Sequence, residues 1–262
     1  MVTRLLIEYD GTDFAGWAAQ PGLRTVKGEL EAALAVLLRE PVALAVAGRT
    51  DAGVHAWGQV ASYAGPPVRL ASLNALIGRD VAVLACEEAR AGFDPRADAV
   101  SRTYCYSVLA RPAPSAFRRR TALHWPYPCD RELLHACAAA LPGAHDFTAF
   151  TLTETEHRWF TRVVETAQWR ELGDRIELWI TADAFLRHMT RTLVGTMLEV
   201  AQGRRSLEAF VTSLDGAHRR AAGHTAKPHG LALAEVHYGP LEESTQSLRA
   251  RGRSTHSHPA GS

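Results

Sequence analysis

The sequence predicts an α+β protein with two domains. Its 262 residues and 47% apolar content are enough for one large core or two smaller ones. Segments with strand-like alternation are interleaved with segments of helical periodicity, and both halves follow the same strands-plus-helix order without a sequence repeat. We place the domains at residues 1–100 and 101–241. Residues 242–262 are rich in Ser, Arg, Gly and His, so we expect a disordered tail.

The first half begins with a strand that is followed by a helix. Apolar residues recur at helical spacing behind Thr25, a typical N-cap residue, and they predict a helix over residues 26–39. Those apolar residues are Val26, Leu30, Leu34 and Leu37. Further predicted elements are strands at 5–9, 42–47, 56–63 and 81–86 and a short helix at 70–77.

The second half repeats this alternation. Asp130 is the N-cap of a predicted helix, which Pro142 and Gly143 bring to an end. The longest helical pattern in the chain covers residues 184–201. Strands are predicted at 103–109, in a hairpin of 165–170 with 175–181, and at 231–238.

The positive charge of the chain is almost entirely arginine. The net charge is +1, and only Lys27 and Lys227 are lysines among 29 basic residues. Arginine offers planar donors that suit phosphate, although a GC-rich coding bias would enrich arginine equally well. Each arginine cluster could meet a polyanion or form a solvated surface. The clusters are residues 118–120, 204–205 and 219–220.

Neither membrane insertion nor disulfide bonding is predicted. No window reaches the roughly 18 apolar residues of a membrane span, and no early basic segment precedes an apolar run, so we expect a soluble cytoplasmic protein. The cysteines contain no C-x-x-C pair, and we expect reduced structural thiols. They are Cys86, Cys105, Cys129 and Cys137.

A glycine-bracketed loop, GRTDAGVH at residues 48–55, concentrates reactive side chains between two predicted strands. It holds a guanidinium, a hydroxyl, a carboxylate and an imidazole within eight residues. Turn chemistry could account for it, because glycines allow unusual dihedrals and Thr and Asp cap backbone amides. The alternative is an active-site carboxylate at Asp51, since loops on a rigid frame commonly carry function.

The longer stretch AGRTDAGVHAWGQV resembles the signature of the A-type tRNA pseudouridine synthases. Further stretches are similar to the opening, middle and closing signatures of that family, in the expected order, over about residues 4–238. They are IEYDGTDFAGW, RTVKGELEAAL, HDFTAF, ADAFLRHMTRTLVGTMLEV and TAKPHGLAL. The resemblance favours catalysis over turn chemistry for the loop.

The resemblance implies a fold, a reaction and a partner. The fold is two similar α+β domains with mainly antiparallel sheets joined around a central basic cleft, in a homodimer. The reaction is isomerisation of uridine to pseudouridine at tRNA positions 38, 39 and 40 in the anticodon stem-loop. This redox-neutral reaction needs no cofactor or metal, and the chain has neither a nucleotide-binding glycine fingerprint nor a clear metal-ligand spacing.

The resemblance also assigns roles to four residues. Asp51 is the catalytic carboxylate, and Arg49 helps to displace the target nucleotide. Tyr104 stacks on the target base and serves in proton transfer, whereas we expect Tyr106 on the same strand face to be a core or sheet-surface aromatic. Arg191 lies on an apolar stripe of the predicted helix 184–201, so it should be partly buried and paired. In the family, the matching arginine pairs with the catalytic aspartate.

Further residues are predicted to contact the RNA. At residues 93–99, the family's usual RNA-contacting stretch is replaced by a version that contains two acids and a proline. Within that stretch we assign substrate binding to Phe93 and Arg96, and elsewhere to Arg24. The cluster Arg118, Arg119 and Arg120 is a further candidate for phosphate contacts.

Two other classes of function compete with this interpretation. A non-catalytic tRNA-binding or RNA-folding module could retain the same scaffold, but Asp51, Tyr104 and Arg191 together argue against it. A metal-dependent hydrolase could use Asp51 and His55, but the histidine spacings match no familiar zinc signature. The remaining histidines considered for a metal are His218, His224 and His229. We instead expect His55 to order its loop through hydrogen bonds.

Overall fold

A computed structural model describes residues 1–153 and 159–239 of the chain, and the predicted tail at 242–262 lies outside the described residues. The elements of the N-terminal half are β1 (Val2–Tyr9), α1 (Val26–Leu38), β2 (Ala45–Val46), β3 (His55–Ala64), α2 (Leu70–Leu76), β4 (Val81–Ala89) and β5 (Ala99–Leu109). Those that follow are β6 (Leu123–His124), α3 (Arg131–Ala139), β7 (Gly143–Asp146), β8 (Thr161–Leu172), β9 (Arg175–Ala182), α4 (Met189–Ala201), α5 (Leu207–Thr212) and β10 (Leu231–Tyr238).

The chain divides into two compact units. Among the described residues, the first consists of residues 1–100 with 233–239, and the second of residues 101–232. Strand β10 therefore lies mainly in the first unit, whereas the predicted domain boundaries assigned it to the C-terminal domain. The strand itself covers the predicted residues 231–238.

The first unit is a mainly antiparallel sheet packed against two helices. Its strand order is β4-β1-β3-β10, with β2 paired to β3, and β1 runs antiparallel to both β3 and β4. Helix α1 buries Leu30 and Leu34 completely. Its predicted N-cap is confirmed, because the Thr25 side chain accepts a hydrogen bond from Gly28 N.

The second unit has the same kind of construction. Strands β5, β9, β8 and β7 follow one another in an antiparallel sheet, and β6 adds to β5 in parallel. The predicted hairpin is formed by β8 and β9. Asp130 caps α3 by accepting from Leu133 N at 3.1 Å, as predicted. Both units combine helices with mainly antiparallel strands, so the α+β prediction is confirmed.

Helix α4 is the centre of the second unit's core. All its residues from Met189 to Ala201 are buried except Arg191 and Glu199, which are half-buried. The predicted start at residue 184 is wrong: Asp183 accepts from Ala184 N, and His188 has a left-handed φ of 65° that a helix interior cannot adopt. Among the described residues, no helix is long and apolar enough to cross a membrane.

All four cysteines are free, as predicted. Burial raises the pKa of each thiol above its usual value, in the case of Cys137 to about 12. The thiols are therefore protonated at neutral pH and act as small apolar side chains.

Candidate active site

Asp51 lies in the loop between β2 and β3 of the first unit. Its side chain is half-buried, whereas the neighbouring Thr50 is buried and Arg49 is exposed. The Thr50 hydroxyl therefore lies in the interior, the Arg49 guanidinium lies in solvent, and the Asp51 carboxylate lies between the two. This placement suits a group that must meet a substrate while it is held by the protein.

Residues 10–17 brace the Asp51 loop through the backbone. Trp17 N donates to Thr50 O at 3.0 Å, and Gly53 N donates to Phe14 O at 3.3 Å. These bonds satisfy peptide groups on both sides of Asp51, which leaves little freedom for the peptide unit between them. Gly53 adopts a φ of 75°, a conformation that favours glycine.

Gly11 and His55 form a second brace. A Cβ atom on Gly11 would overlap the carbonyl oxygen of Val54, so only glycine allows the two segments to approach this closely. Gly11 N donates to His55 Nδ1 at 3.0 Å, and the ring is 5% exposed. The same nitrogen lies 3.1 Å from Asp10 Oδ1. His55 therefore orders the loop, as predicted.

A buried polar network lies beneath the loop. Tyr9 Oη and Thr50 Oγ1 are 2.7 Å apart, and Gln59 Nε2 donates to Tyr9 Oη at 3.3 Å and to Gly48 O at 2.7 Å. Burial raises the pKa of Tyr9 to about 12, against the smaller opposing effect of these hydrogen bonds. The phenol stays neutral, so the network holds the loop from below without placing a charge there.

A groove of about 780 Å³ opens beside the loop on the first unit. Its lining is positively charged: Lys27, Arg49 and Arg96 face one acid, Asp94. Among the described residues, the Arg49 side chain has neither a hydrogen-bond nor an ion-pair partner, whereas Lys27 lies 3.4 Å from Glu31. The remaining lining residues are Trp17, Ala18, Ala19, Leu44, Ala45, Val46, Gly48 and Ala97. Such a lining suits an anionic ligand.

The two unusual acids of residues 93–99 build a turn. Asp94 Oδ1 accepts from Arg96 N and Ala97 N, each at 2.8 Å, and these bonds lower the pKa of Asp94. Asp98 Oδ2 accepts from Asp94 N at 2.9 Å and pairs with Arg90 at 2.7 Å. The acids are therefore bound within the segment, while the Arg96 side chain remains exposed at the groove.

Phe93 is a core residue, which corrects the predicted RNA contact. Its side chain is 5% exposed, and its ring centroid lies 5.4 Å from that of Tyr238 and 5.7 Å from the Arg4 guanidinium carbon. Tyr238 Oη in turn donates to Pro95 O at 2.9 Å. The apolar ring is more stable in this packing than in water, so it is not available for direct contact with RNA.

Arg24 is bound by carboxylates. Its two terminal nitrogens lie 2.6 and 2.8 Å from the Asp80 carboxylate, and Nη2 lies 2.8 Å from Glu29. The guanidinium also lies 4.1 Å from the centre of the Phe14 ring. A phosphate at Arg24 would have to compete with a bidentate pair, so these contacts favour a structural role.

Tyr104 and Tyr106 lie on β5 in the second unit. Tyr104 is 9% exposed and makes an edge-to-face contact with Phe185, with ring centroids 4.8 Å apart. Tyr106 is fully buried and its hydroxyl donates to Lys227 O at 2.7 Å, which confirms the predicted core role. The role of Tyr104 at the base stays a prediction.

Arg191 projects from the first turn of α4. It is half-buried, and Nε donates to Ala226 O at 2.8 Å while Ala226 N donates to Arg191 O at 3.0 Å. The expectation that this side chain is partly buried is therefore confirmed, and its Nε has a backbone carbonyl as partner. Its pairing with Asp51 stays a prediction.

The segment around residues 222–226 docks closely on α4. A Cβ atom on Gly195 would overlap His224 O, and Gly223 N donates to Thr196 Oγ1 at 2.9 Å. Thr196 Oγ1 also donates to the carbonyl of Thr192 at 2.7 Å. These contacts hold Ala226, and with it the Nε end of Arg191, in a defined position.

The histidines considered for a metal have structural partners. His218 Nδ1 accepts from Arg220 N at 3.3 Å, and His224 Nδ1 lies 2.9 Å from Glu199 Oε1. Within residues 1–153 and 159–239, no group of three or more His, Cys, Asp or Glu side chains is arranged to hold a metal ion.

The residues that position Asp51 are not predicted from the sequence. Tyr9, Gly11 and Gln59 lie in the stretches IEYDGTDFAGW and HAWGQV, but nothing local indicates that they support the Asp51 loop. Gln59 offers one signal that could have identified this support. It is a polar residue that is fully buried on β3, and such a residue must have hydrogen-bond partners.

Known proteins resemble this chain over most of its length. The model of a family described as tRNA pseudouridine synthase matches residues 137–239. Proteins named tRNA pseudouridine synthase A match from Bacillus pumilus at 38% identity and Bacillus subtilis at 39%, each over 91% of this chain and 99% of the relative. One from Myxococcus xanthus is 40% identical over 90% of this chain and 91% of the relative.

Among solved structures, a Cbf5–Nop10–Gar1 complex aligns at 11% identity with a TM-score of 0.33, over 74% of this chain and 53% of that chain. So weak a likeness bears on neither fold nor function. The curated relatives are far more similar, and they match almost end to end. The chain therefore belongs to the tRNA pseudouridine synthase A family, whose members are isomerases that act on tRNA.

Proposed function

We propose that this enzyme isomerises uridine to pseudouridine at positions 38, 39 and 40 of the tRNA anticodon stem-loop, with Asp51 as its essential catalytic group. The observation that carries the proposal is the support of the Asp51 loop. Backbone bonds from residues 10–17 and a buried Tyr9–Gln59 network hold the loop on two sides. A simple turn needs no such support, whereas a catalytic carboxylate must be held in a defined position.

The reaction breaks the N1–C1′ bond of uridine and forms a C5–C1′ bond after the base has turned. A proton leaves C5 and N1 gains one, so no electron acceptor is required. A carboxylate can attack C1′ or the uracil ring, or it can stabilise a cationic sugar and assist the proton transfer. Each route requires that Asp51 be ionised and aimed at the nucleotide.

The other site residues position the target nucleotide, its base, Asp51 and the RNA backbone. Arg49 displaces the target nucleotide, which is supported by a guanidinium without partners among the described residues. Tyr104 provides a stacking surface for the displaced base and takes part in proton transfer. Arg191 pairs with Asp51 and keeps it ionised. Arg96 binds phosphate from the edge of the groove.

The proposal includes the setting in which the enzyme works. We infer a homodimer that acts in the cytoplasm on tRNA held in a basic cleft. The positive lining of the groove beside Arg49 supports binding of the tRNA backbone. Affinity for tRNA should therefore fall steeply as salt rises, because binding releases counterions from the phosphates.

Asp51→Asn tests the catalytic assignment. Asparagine keeps the size and most hydrogen bonds of aspartate but removes its negative charge and nucleophilicity. We expect turnover, measured as tritium release from C5-labelled uridine in tRNA, to vanish. The affinity for tRNA and the melting temperature should remain, and Glu40→Gln serves as a control for loss of an exposed carboxylate.

Two results would contradict the proposal. Multiple turnover by a folded Asp51→Asn protein, freed of host enzyme, would remove Asp51 from its catalytic role and leave a turn-forming residue. Transcripts that carry uridine at only one of positions 38, 39 and 40 test the substrate. Modification elsewhere in tRNA, with none at these positions, would overturn the proposed target.

A further inference from the structure

Phe117 has an exposure that the fold does not explain. Its side chain is 98% exposed, whereas the other phenylalanines of the chain are buried or half-buried. A phenylalanine ring in water loses the stabilisation that burial would give. The ring is therefore accessible for contact with another molecule.

The loop that carries Phe117, residues 111–121, is held by hydrogen bonds. Arg111 Nε donates to Ala113 O at 2.8 Å, Nη2 donates to Pro114 O at 3.2 Å, and Nη1 pairs with Asp174 at 2.7 Å. His124 Nε2 lies 2.9 Å from the Arg111 carbonyl oxygen. The loop therefore has a defined conformation at its base.

A turn closes the loop just after the ring. Arg118 O accepts from Thr121 N and from Ala122 N, each at 3.0 Å, and Arg118 N donates to Ser115 Oγ at 3.3 Å. Phe117 thus stands at a position of fixed backbone, which lowers the conformational entropy lost when a ligand binds.

The surroundings of Phe117 are strongly basic. Arg118, Arg119 and Arg120 follow the ring and are exposed. The sequence between Ala110 and Cys129 contains no aspartate or glutamate, and the carboxylate of Asp174 binds Arg111 at the base of the loop. The tip is therefore a site of concentrated positive charge around one aromatic ring.

We propose that the Phe117 loop is an additional tRNA contact, in which Phe117 stacks on an unpaired base and Arg118 and Arg119 bind the adjacent phosphates. Proteins that bind single-stranded RNA combine these two interactions, since every base offers a face for stacking and arginine pairs with phosphate. A protein partner would need an apolar surface with several carboxylates around it. The inference rests on the proposed function, because it takes tRNA as the ligand.

Substitutions at Phe117 separate stacking from apolar contact. Phe117→Tyr and Phe117→Trp keep an aromatic face and should keep the affinity for tRNA. Phe117→Leu keeps the apolar character without the face, and it should weaken the affinity about 5- to 150-fold, as expected for loss of one stacked base. The kcat at saturating tRNA should not change, because the loop binds and does not react. Filter binding and steady-state kinetics measure the two quantities.

Arg118 and Arg119 should contribute to the salt dependence of the affinity for tRNA. Arg118→Gln/Arg119→Gln should lower the slope of log affinity against log salt concentration by about 1 to 2, at about 0.7–0.9 for each phosphate that is no longer bound. Arg118→Lys/Arg119→Lys keeps the charge and should keep most of the slope. Arg79→Gln, which removes an exposed arginine from the first unit, is the control.

Other outcomes would overturn this inference without touching the proposed function. Unchanged affinity in an active Phe117→Leu enzyme, together with an unchanged salt slope in Arg118→Gln/Arg119→Gln, would exclude an RNA contact. A Phe117→Leu protein with wild-type affinity but altered mass in light scattering would assign the loop to a contact with a second copy. If the wild type forms no pseudouridine, the proposed function fails, while the binding measurements still test the loop.

Discussion

Gly11 lies directly against the carbonyl of Val54, at a distance that leaves no space for a Cβ atom. This approach brings the turn after β1 into contact with the residue that ends the Asp51 loop. Together with the bond between Gly11 N and His55, it fixes the point where the loop enters β3. The position of Asp51 therefore depends on a residue that takes no part in the chemistry.

Gly11→Ala should displace the Asp51 loop. The added methyl meets backbone, which cannot move without shifting the loop, so we expect kcat to fall about 100-fold, as a displacement of about 1 Å can cause. Affinity for tRNA should change little. Gly239→Ala is the control, because its Cβ would meet Val100 at an ordinary 3.9 Å. Equal activity of both variants would show that the approach of Gly11 to Val54 has no role in positioning Asp51.

Arg191→Ala should impair turnover far more than tRNA binding. The proposed role of Arg191 is to orient Asp51, and loss of a charged group that does so costs about 100-fold or more in kcat. Arg191→Lys should rescue only part of the activity, since lysine has no Nε–H to donate to Ala226 O. The control is Arg204→Ala, at an exposed position of the second unit. Full activity of Arg191→Ala would rule out the pairing with Asp51.

Glu199→Gln should lower stability in a pH-dependent way. Burial opposes ionisation, but hydrogen bonds from His224 and Arg205 outweigh it and lower the pKa of Glu199. A carboxylate with a depressed pKa stabilises the fold above its unfolded value of about 4.3, and this contribution is lost as pH falls through the folded pKa.

The melting temperature of Glu199→Gln should thus lie roughly 2–6 °C below that of the wild type at pH 7. The difference should shrink as pH falls below about 4.3 and through the folded pKa of Glu199. Glu40→Gln, at an exposed carboxylate, should show no such pH dependence. A difference that stays constant from pH 7 to pH 3 would show that the Glu199 charge does not stabilise the docked segment.

The local signals in the sequence predicted most of the fold. A capping side chain acts on amides two or three residues away, and for that reason Thr25 and Asp130 could be identified as N-caps. The start of α4 was mispredicted because Phe185 and Met189 keep helical spacing, whereas the lead-in is set by Asp183 and by the left-handed His188. Hydrophobic periodicity does not show where such local contacts end a helical pattern.

The candidate site was predictable in its reactive residues and less so in its supports. Asp51 and Arg49 lie in one loop, so their proximity is evident from the sequence alone. Phe93 and Arg24 are predicted to bind RNA because their structural partners are far away in the chain. Phe93 packs against Tyr238, and Arg24 pairs with Asp80. A single sequence carries no record of such distant partners.

The burial of helix α4 affects the order in which parts of the second unit open. A peptide N–H exchanges with deuterium only when its hydrogen bond breaks and solvent reaches it. Because α4 is buried on nearly every side, solvent reaches its amides only when most of the surrounding unit unfolds. Arg191 is therefore carried by a segment that is protected from local opening, and it stays aligned while less buried parts of its unit open.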